Sequence, residues 1–303
     1  MIDVWSSTGV NLPLQMPSLD GLPLPMDDLE FLRLRAGDIL PRDFATKPSS
    51  APLLAGMINL NRILIRINHL NSQTATSPLN PVELEKQVST LSQALSSWHD
   101  SIPLTMHDTP ANLQHWASQG LGRIFVAVYV GYYHYGQLLF YQFLHGASTN
   151  PALPSKSYAQ QCKSHAESLC TIVYASYATP NCNLQYTMVG HILVITSTIQ
   201  IHTLLFSDNE THIAAARTRL EKNFEILSQL RTLWPTLDVS FTRLRAFHQA
   251  CRDSMDESFR LDLWMLRFLS EFAVPVDDRV VGEGEATPDQ RVWSWENIGS
   301  SPD

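Results

Sequence analysis

The chain has 303 residues, 44% of them hydrophobic and only 17% charged, and its formal net charge is −8. This length is enough to bury a sizeable core. The negative charge argues against a general nucleic-acid surface, because phosphate binding needs clustered Lys and Arg side chains. The N-terminus lacks the basic start and apolar run of a signal peptide, and the four cysteines form no CxxC pair, so we expect an intracellular protein with free thiols.

Residues 1–47 contain many prolines and turn formers, and we interpret them as an extended Pro-rich arm with one short helix at Leu29–Arg35. A helix is predicted over Ala51–Leu70. The clearest helix follows, with Asn80 as its N-cap, a proline in its first turn and Pro103 as its stop. Its predicted buried stripe keeps to one face for four turns. The stripe consists of Leu84, Val88, Leu91, Leu95 and Trp98.

The centre of the chain, residues 104–207, holds only 3 basic and 2 acidic side chains. Apolar helices are predicted over about 124–145 and 184–206, with a more polar helix over Lys156–Tyr177 between them. The stretch Thr187–Phe206 is uncharged and long enough to span a bilayer. It contains two histidines and a glutamine, however, and neither apolar helix is flanked by the Lys/Arg excess that orients membrane segments. We therefore favour two buried helices and no membrane contact, with a small membrane protein as an alternative.

The C-terminal third is predicted to form three further helices. The first, Asn209–Leu233, is amphipathic, the second covers Val239–Cys251, and the last lies near Asp256–Phe272. Residues 274–303 are acidic and contain glycine and proline, so we expect a disordered tail. The side chains expected to be buried are Ile213, Leu220, Phe224, Leu227, Trp234, Leu244, Phe247, Phe259, Leu263, Leu266 and Leu269.

No strand-like alternation rises above noise, so the predicted fold class is all-α. We expect an irregular multi-helix domain of about seven to nine helices, with the two uncharged central helices buried. This helical domain is placed at residues 48–273, between the arm and the tail.

The candidate catalytic and metal motifs are weak. The nearest metal-like group, Cys162, His165 and Cys170, has too few ligands for a zinc site, and buried thiols with a surface histidine explain it better. The glycine pairs 120/122 and 282/284 lack the third glycine and the preceding strand of a dinucleotide site. We therefore predict no catalytic, cofactor-binding or metal-binding residue in this chain and no enzymatic activity.

Two polar clusters have an alternative interpretation. Asp27, Asp28 and Glu30 could form part of a magnesium–diphosphate site, but carboxylates at the start of a helix explain them better. Four phenols on one helix could line a ligand cavity with His134, although aromatic residues at helical spacing more often fill helix–helix contacts. These phenols belong to Tyr129, Tyr132, Tyr133 and Tyr135.

Several segments, in this order, resemble the C-terminal half of the fungal-specific transcription factor domain, the middle homology region of the zinc binuclear-cluster regulators. The resemblance covers roughly residues 20–255. Each motif alone is degenerate, whereas their order is moderately specific. The motifs are Pro23–Asp28 (PLPMDD), Trp98–Pro103 (WHDSIP), Tyr132–Tyr141 (YYHYGQLLFY), Cys162–Cys170 (CKSHAESLC), Leu204–Phe206 (LLF), Leu227–Pro235 (LSQLRTLWP) and Arg243–Cys251 (RLRAFHQAC).

This resemblance implies a nuclear regulatory domain that restrains or releases transcription by RNA polymerase II, in a metabolic or secondary-metabolite pathway. Its implied partners are the transcription machinery or regulatory proteins, a small apolar effector and a second copy of the chain. Zinc and DNA contacts belong to the family's six-cysteine module, which the four scattered cysteines do not replace. We expect the chain to begin partway through the family's domain. A helical enzyme with an apolar pocket is a further alternative.

Overall fold

A computed structural model describes residues 9–10, 23–38, 52–77, 79–145 and 153–277, with the side chains of 153–156 left out. Within these ranges the protein has ten α-helices, nine of them of seven or more residues, and no strand. The predicted all-α fold is confirmed. The helices are α1 (Asp28–Arg33), α2 (Leu53–Thr76), α3 (Pro81–Ser101), α4 (Pro110–Ser118), α5 (Gly122–Phe140), α6 (Leu153–Ala178), α7 (Met188–Phe206), α8 (Glu210–Leu233), α9 (Asp238–Asp253) and α10 (Leu263–Ser270).

Helix α3 forms as its sequence predicts. Oδ1 of Asn80 accepts a hydrogen bond of 2.9 Å from the Glu83 amide, which satisfies one of the free amides of the first turn. Four of the five predicted stripe residues are buried and the fifth, Leu84, is half-buried. The indole of Trp98 donates to the carbonyl of Gly56 across 2.9 Å, so α3 is fixed against α2.

The uncharged central region contains a helix, α4, that the sequence analysis did not predict. Helix α4 ends at Ser118 and α5 begins at Gly122, with a turn between them. Gly120 adopts φ = +76°, a left-handed conformation that glycine takes without steric cost, and its amide bonds to the Ala117 carbonyl. The turn lets α5 leave in a new direction and cross the middle of the domain.

Helices α5 and α7 form the core. Every residue of α7 from Val189 to Thr203 is buried, and most of α5 is buried as well. Helix α7 is the one described helix that is long and apolar enough to cross a membrane, yet 78% of its most apolar stretch is covered by the rest of the protein. The surrounding helices α5, α6, α8 and α9 take the place that lipid would have around a membrane span.

The last predicted helix differs from the structure in its bounds and in the side chains that it buries. The prediction of a single helix over Asp256–Phe272 is wrong. The chain forms a 3₁₀ turn at Glu257–Phe259, and a new helix, α10, begins at Leu263. The side chain of Asp262 caps α10 by accepting a hydrogen bond from the Met265 amide. The restart rotates the buried face. Leu263 is therefore 56% exposed and Leu266 half-buried, while Met265 and Phe268 fill the core with Leu269.

On α8, Leu220 and Leu227 are buried as predicted, whereas Trp234 is 43% exposed.

The ends of the predicted domain are only partly described. The predicted short helix of the arm is present as α1. The other parts of the 1–47 arm, apart from 9–10 and 23–38, and the 274–303 tail beyond Asp277 lie outside the described residues.

Candidate functional site: an apolar pocket between α2, α5 and α7

A cavity of about 630 Å³ opens between α2, α5 and the segment that leads into α7. This volume lies within the range of roughly 300–1,000 Å³ that small-molecule sites occupy. Most of its surface is apolar, and its polar groups are few. The lining residues are Leu54, Met57, Leu60, Asn61, Arg123, Ile124, Ala127, Val130, Gly131, Tyr135, Asn183, Leu184, Gln185, Tyr186, Met188 and Ile192.

Helix α5 supplies one wall because small residues recur on a single face. Ala127 and Gly131 are four residues apart, so they lie one above the other on the helix surface. A methyl group on Gly131 would meet Leu60 and Tyr135 at 3.6–3.7 Å, which is ordinary van der Waals contact. Larger side chains at these two positions would occupy the cavity, so the short side chains leave the space open.

The opposite wall is the non-helical segment 182–187. The sequence analysis placed its second half in a helix starting at Leu184, which is wrong, because α7 begins at Met188. Two aromatic side chains anchor its backbone: the Tyr177 hydroxyl donates to the Leu184 carbonyl across 3.1 Å, and the Trp234 indole donates to the Gln185 carbonyl across 2.6 Å. The non-helical residues of this segment thus line the cavity where the sequence analysis had placed the start of a helix.

Tyr186 lies on this segment and faces the cavity. Its side chain is 38% exposed and lines the pocket. Desolvation by the surrounding protein nevertheless raises the pKa of its phenol.

One buried hydrogen-bonded pair marks the polar part of the wall between α2 and α5. The hydroxyl of Tyr135 donates to Oδ1 of Asn61 across 2.9 Å, and Nδ2 of Asn61 donates to the Met57 carbonyl across 2.8 Å. Tyr135 is 1% and Asn61 4% exposed. Since buried polar groups need partners, this pair allows polar atoms to sit beside an otherwise apolar cavity.

A single charged side chain, Arg123, contributes to the lining. It is the second residue of α5, it is exposed, and its guanidinium donates a long hydrogen bond of 3.4 Å to Oδ1 of Asn183. The pocket therefore has a positively charged rim and an apolar interior.

The other members of the tyrosine cluster serve contacts outside the pocket. Tyr129 donates to the Met106 carbonyl across 2.6 Å, Tyr133 donates to Asp108 across 2.8 Å, and Tyr132 stacks on Trp98. Burial raises the pKa of the Asp108 carboxyl, which its bond from Tyr133 partly offsets. Of the four phenols, Tyr135 alone reaches the cavity, so the helix-packing interpretation describes the other three.

The predicted partner of these phenols, His134, is 1% exposed and does not line the cavity. Its ring lies 6.1 Å from that of His191, centroid to centroid. Desolvation lowers the pKa of His134 to about 3, so the imidazole is neutral at physiological pH. His134 therefore does not belong to the wall of this pocket.

The weak metal-like group does not come together. The Cys162 thiol lies 3.7 Å from the Gln137 carbonyl, while the Cys170 thiol lies 3.6 Å from Oδ1 of Asn223. His165 is not at the surface as expected: its ring is half-buried against Gly136, and desolvation lowers its pKa to about 4. No group of three His, Cys, Asp or Glu side chains suited to a metal ion occurs among the described residues.

The acidic cluster acts at helix starts, as predicted. Oδ1 of Asp27 accepts from the amides of Leu29 and Glu30 and caps α1. Oδ2 of Asp28 accepts from the Leu54 amide across 3.2 Å at the start of α2, and burial raises the pKa of its carboxyl. The carboxylate of Asp28 thus joins α1 to the start of α2, whereas that of Asp27 caps α1.

Of the two glycine pairs, 282/284 lies outside the described residues. Gly122 packs against Cys182, in direct contact with its sulfur atom. This glycine therefore serves the close approach of α5 to the 182–187 segment.

Comparisons with protein-family models, with curated proteins and with solved structures found no match for this chain. The pocket and the sequence motifs are therefore the basis on which its function is inferred.

Proposed function

We propose that this chain is the regulatory domain of a nuclear transcription factor and that it responds to a small apolar effector bound in the pocket between α2, α5 and α7. The observation that carries the proposal is the cavity of about 630 Å³ with its apolar wall. Apolar cavities of this size bind ligands by burying their hydrocarbon surface. The ordered motifs that resemble the fungal transcription factor domain support the regulatory role.

Ligand binding at this place can act on distant contacts. The pocket joins three helices and the 182–187 segment, which Tyr177 and Trp234 tie to α6 and to the end of α8. A ligand that binds this arrangement stabilises it by mass action. Effector binding would thereby favour one conformation of the surface that contacts the transcription machinery, a regulatory protein or a second copy of the chain. DNA contacts would come from the family's zinc-cluster module.

The lining chemistry favours binding over catalysis. Among the lining residues there is no carboxylate, imidazole, thiol or lysine. General acid–base and nucleophilic mechanisms rely mainly on these groups. Two phenols remain. Desolvation raises the pKa of Tyr186, and the hydroxyl of Tyr135 donates its proton to Asn61, so both phenols stay protonated and are poor proton acceptors at neutral pH.

The pocket can be tested with a neutral fluorescent probe, N-phenyl-1-naphthylamine. We expect saturable binding to the full chain with a blue-shifted emission. The substitution Ala127→Phe should fill the cavity and abolish binding, whereas the control Ala94→Phe, at a half-buried position on α3 away from the pocket, should retain it. Equal binding by both variants, or none by the unmodified chain, would overturn the pocket assignment.

The regulatory role can be tested separately in a yeast reporter assay. The full chain is fused to a heterologous DNA-binding domain, and transcription is measured with and without the pocket-filling substitution at Ala127. We expect Ala127→Phe to change reporter output at equal protein level, while Ala94→Phe leaves it unchanged. Identical output from all three fusions would contradict a regulatory domain controlled through this pocket.

A further inference from the structure

The charge on the rim of the pocket is unbalanced. Arg123 is the one charged residue of the lining, and within the described part of the chain no carboxylate lies within ion-pair distance of it. Its one described polar contact is the long bond to the neutral side chain of Asn183. The guanidinium fork therefore keeps most of its donors available to a planar anion.

The start of α5 adds to this positive potential. Helix α5 has 19 residues, and its N-cap residue Leu121 makes no side-chain hydrogen bond to the first turn. No carboxylate or hydroxyl side chain of the N-cap residue therefore competes for the amides of the first turn, which contains Arg123. The nearby thiol of Cys182 responds to the same charge: desolvation raises its pKa, and the field of Arg123 opposes that rise.

The depth of the apolar part sets the size of the ligand. From Arg123 to Gly131 the α5 wall spans eight residues, or about 12 Å along the helix axis. Beyond Gly131 the ring of Tyr135 folds back, with its hydroxyl 3.7 Å from the position of a Gly131 Cβ. This length of α5 wall corresponds to that of a medium-length hydrocarbon chain.

From this geometry we infer that the pocket binds a small amphipathic carboxylic acid, with its carboxylate on Arg123 and its hydrocarbon body between Ala127 and Tyr135. This inference rests on the proposed effector pocket and specifies the chemical class of its ligand. Arg binds a carboxylate through two parallel hydrogen bonds, and it discriminates against neutral ligands of the same shape.

The test compares decanoate with 1-decanol, which share a hydrocarbon chain and differ in the charged end. Each competes with N-phenyl-1-naphthylamine for the full chain near neutral pH, below its aggregation concentration. We expect decanoate to compete at least about tenfold more strongly than 1-decanol, a difference that added salt reduces.

Variants of the rim assign this preference to one side chain. Arg123→Gln should weaken decanoate about tenfold and leave 1-decanol unchanged, and Arg123→Lys should recover part of the loss because it keeps the charge without the fork. The control Arg66→Gln removes an exposed charge on α2 outside the lining and should alter neither ligand. Circular dichroism checks that each variant is folded.

The outcomes separate the two proposals. If decanoate and 1-decanol compete equally, or if Arg123→Gln weakens both alike, the carboxylate inference is overturned and the pocket stands. If neither ligand displaces the probe and the probe itself does not bind, the effector pocket is overturned as well.

Discussion

The hydroxyl of Tyr135 on α5 donates a 2.9 Å hydrogen bond to Oδ1 of Asn61 on α2, and both residues line the cavity between these helices. The two residues are 74 positions apart in the chain. Their bond joins two walls of the pocket at a place where the surrounding side chains are apolar. It therefore contributes both to stability and to the shape of the cavity.

Removing the phenol hydroxyl should leave Oδ1 of Asn61 buried without a partner. We expect Tyr135→Phe to lower the free energy of unfolding by about 1–3 kcal/mol. In a double-mutant cycle with Asn61→Ala, the two losses should be less than additive, since they remove the same bond. Urea denaturation followed by circular dichroism measures both. Tyr186→Phe is the control, because no hydrogen bond of that hydroxyl occurs within the described residues, and it should change stability by less than about 0.5 kcal/mol.

Local sequence signals predicted two of the helices that begin with a side-chain cap, α3 and α8. Asn80 and Asn209 each accept amide hydrogen bonds at the start of a helix, and a proline or an apolar stripe follows within the same few residues. These interactions are local, so one stretch of sequence contains the whole signal. Helices α3 and α8 were accordingly predicted almost to the residue.

Breaks inside apolar runs were not predictable in the same way. The late start of α7 at Met188 depends on contacts with distant residues, such as the Trp234 indole that binds the Gln185 carbonyl. An apolar run has the same periodicity with or without such a break. The segment before this late start lines the pocket, so the position of the pocket could not be derived from the sequence, although its two central helices were expected to be able to hold an apolar effector.

The close contact between α5 and α6 at Gly136 makes a steric prediction. A methyl group on Gly136 would lie 2.5 Å from three atoms of the His165 ring. Gly136→Ala should therefore destabilise the protein by about 1–3 kcal/mol, as measured by chemical denaturation. Gly131→Ala on the same helix meets only ordinary contacts and should be neutral or stabilising, by up to about 1 kcal/mol, because alanine favours a helix. If adding His165→Ser to Gly136→Ala restores no stability, the assigned contact is wrong.

Stability should fall in acid because several histidines are buried in the neutral form. His202 is 2% exposed, its Nε2 lies 3.0 Å from the Leu144 carbonyl, and the ring is enclosed by Phe206 and Phe259. Desolvation lowers its pKa to about 3, and the charge of Lys163 contributes to the same shift. In the unfolded chain a histidine has a pKa near 6.5, so below this pH the unfolded state takes up a proton that the native state excludes.

The resulting stability is complete above about pH 6.5 and is lost as the pH falls toward 3, by about 1.4 kcal/mol per pH unit for each such histidine. We expect His202→Gln to flatten the dependence of unfolding free energy on pH by about this amount, while the exposed control His212→Gln leaves the slope unchanged. Raised carboxyl pKa values at Asp28 and Asp108 act in the opposite direction, so the measurement is the difference in slope between variants. Equal slopes for both variants would contradict the burial of a neutral His202.

The thiols should be protected from labelling in the native state. No disulfide joins the four cysteines, and all four are buried, with exposures of 0–7%. Burial raises the pKa of the Cys170 thiol to about 11, which lowers the fraction of reactive thiolate. We expect an aromatic disulfide reagent to modify them orders of magnitude more slowly than in concentrated guanidinium chloride. Ser97→Cys, at an exposed position on α3, supplies a fast-reacting control. Any fast-reacting thiol in the unmodified chain would contradict the packing.

The C-terminal segment should depend on Arg243, which the sequence analysis treated only as part of a motif. Its guanidinium is 1% exposed and donates to the main-chain carbonyls of Arg267, Phe268, Glu271 and Val274, most of them at 2.8–2.9 Å. The carbonyls at the end of a helix have no partner within the helix. One side chain on α9 thus satisfies the end of α10 and fixes the chain that follows it.

Replacing this side chain should loosen α10 before the rest of the domain. We expect Arg243→Met to lower the free energy of unfolding by about 3 kcal/mol, because several buried carbonyls lose charge-assisted hydrogen bonds together. Arg243→Lys should lose less, since its ammonium keeps the charge but cannot span the same carbonyls. Limited proteolysis should release fragments cut within 263–277 faster in both variants, with Arg243→Met the faster. The exposed neighbour Arg245→Met serves as the control on the same helix, and equal stability and cleavage for the substitutions at 243 and 245 would contradict the assigned role.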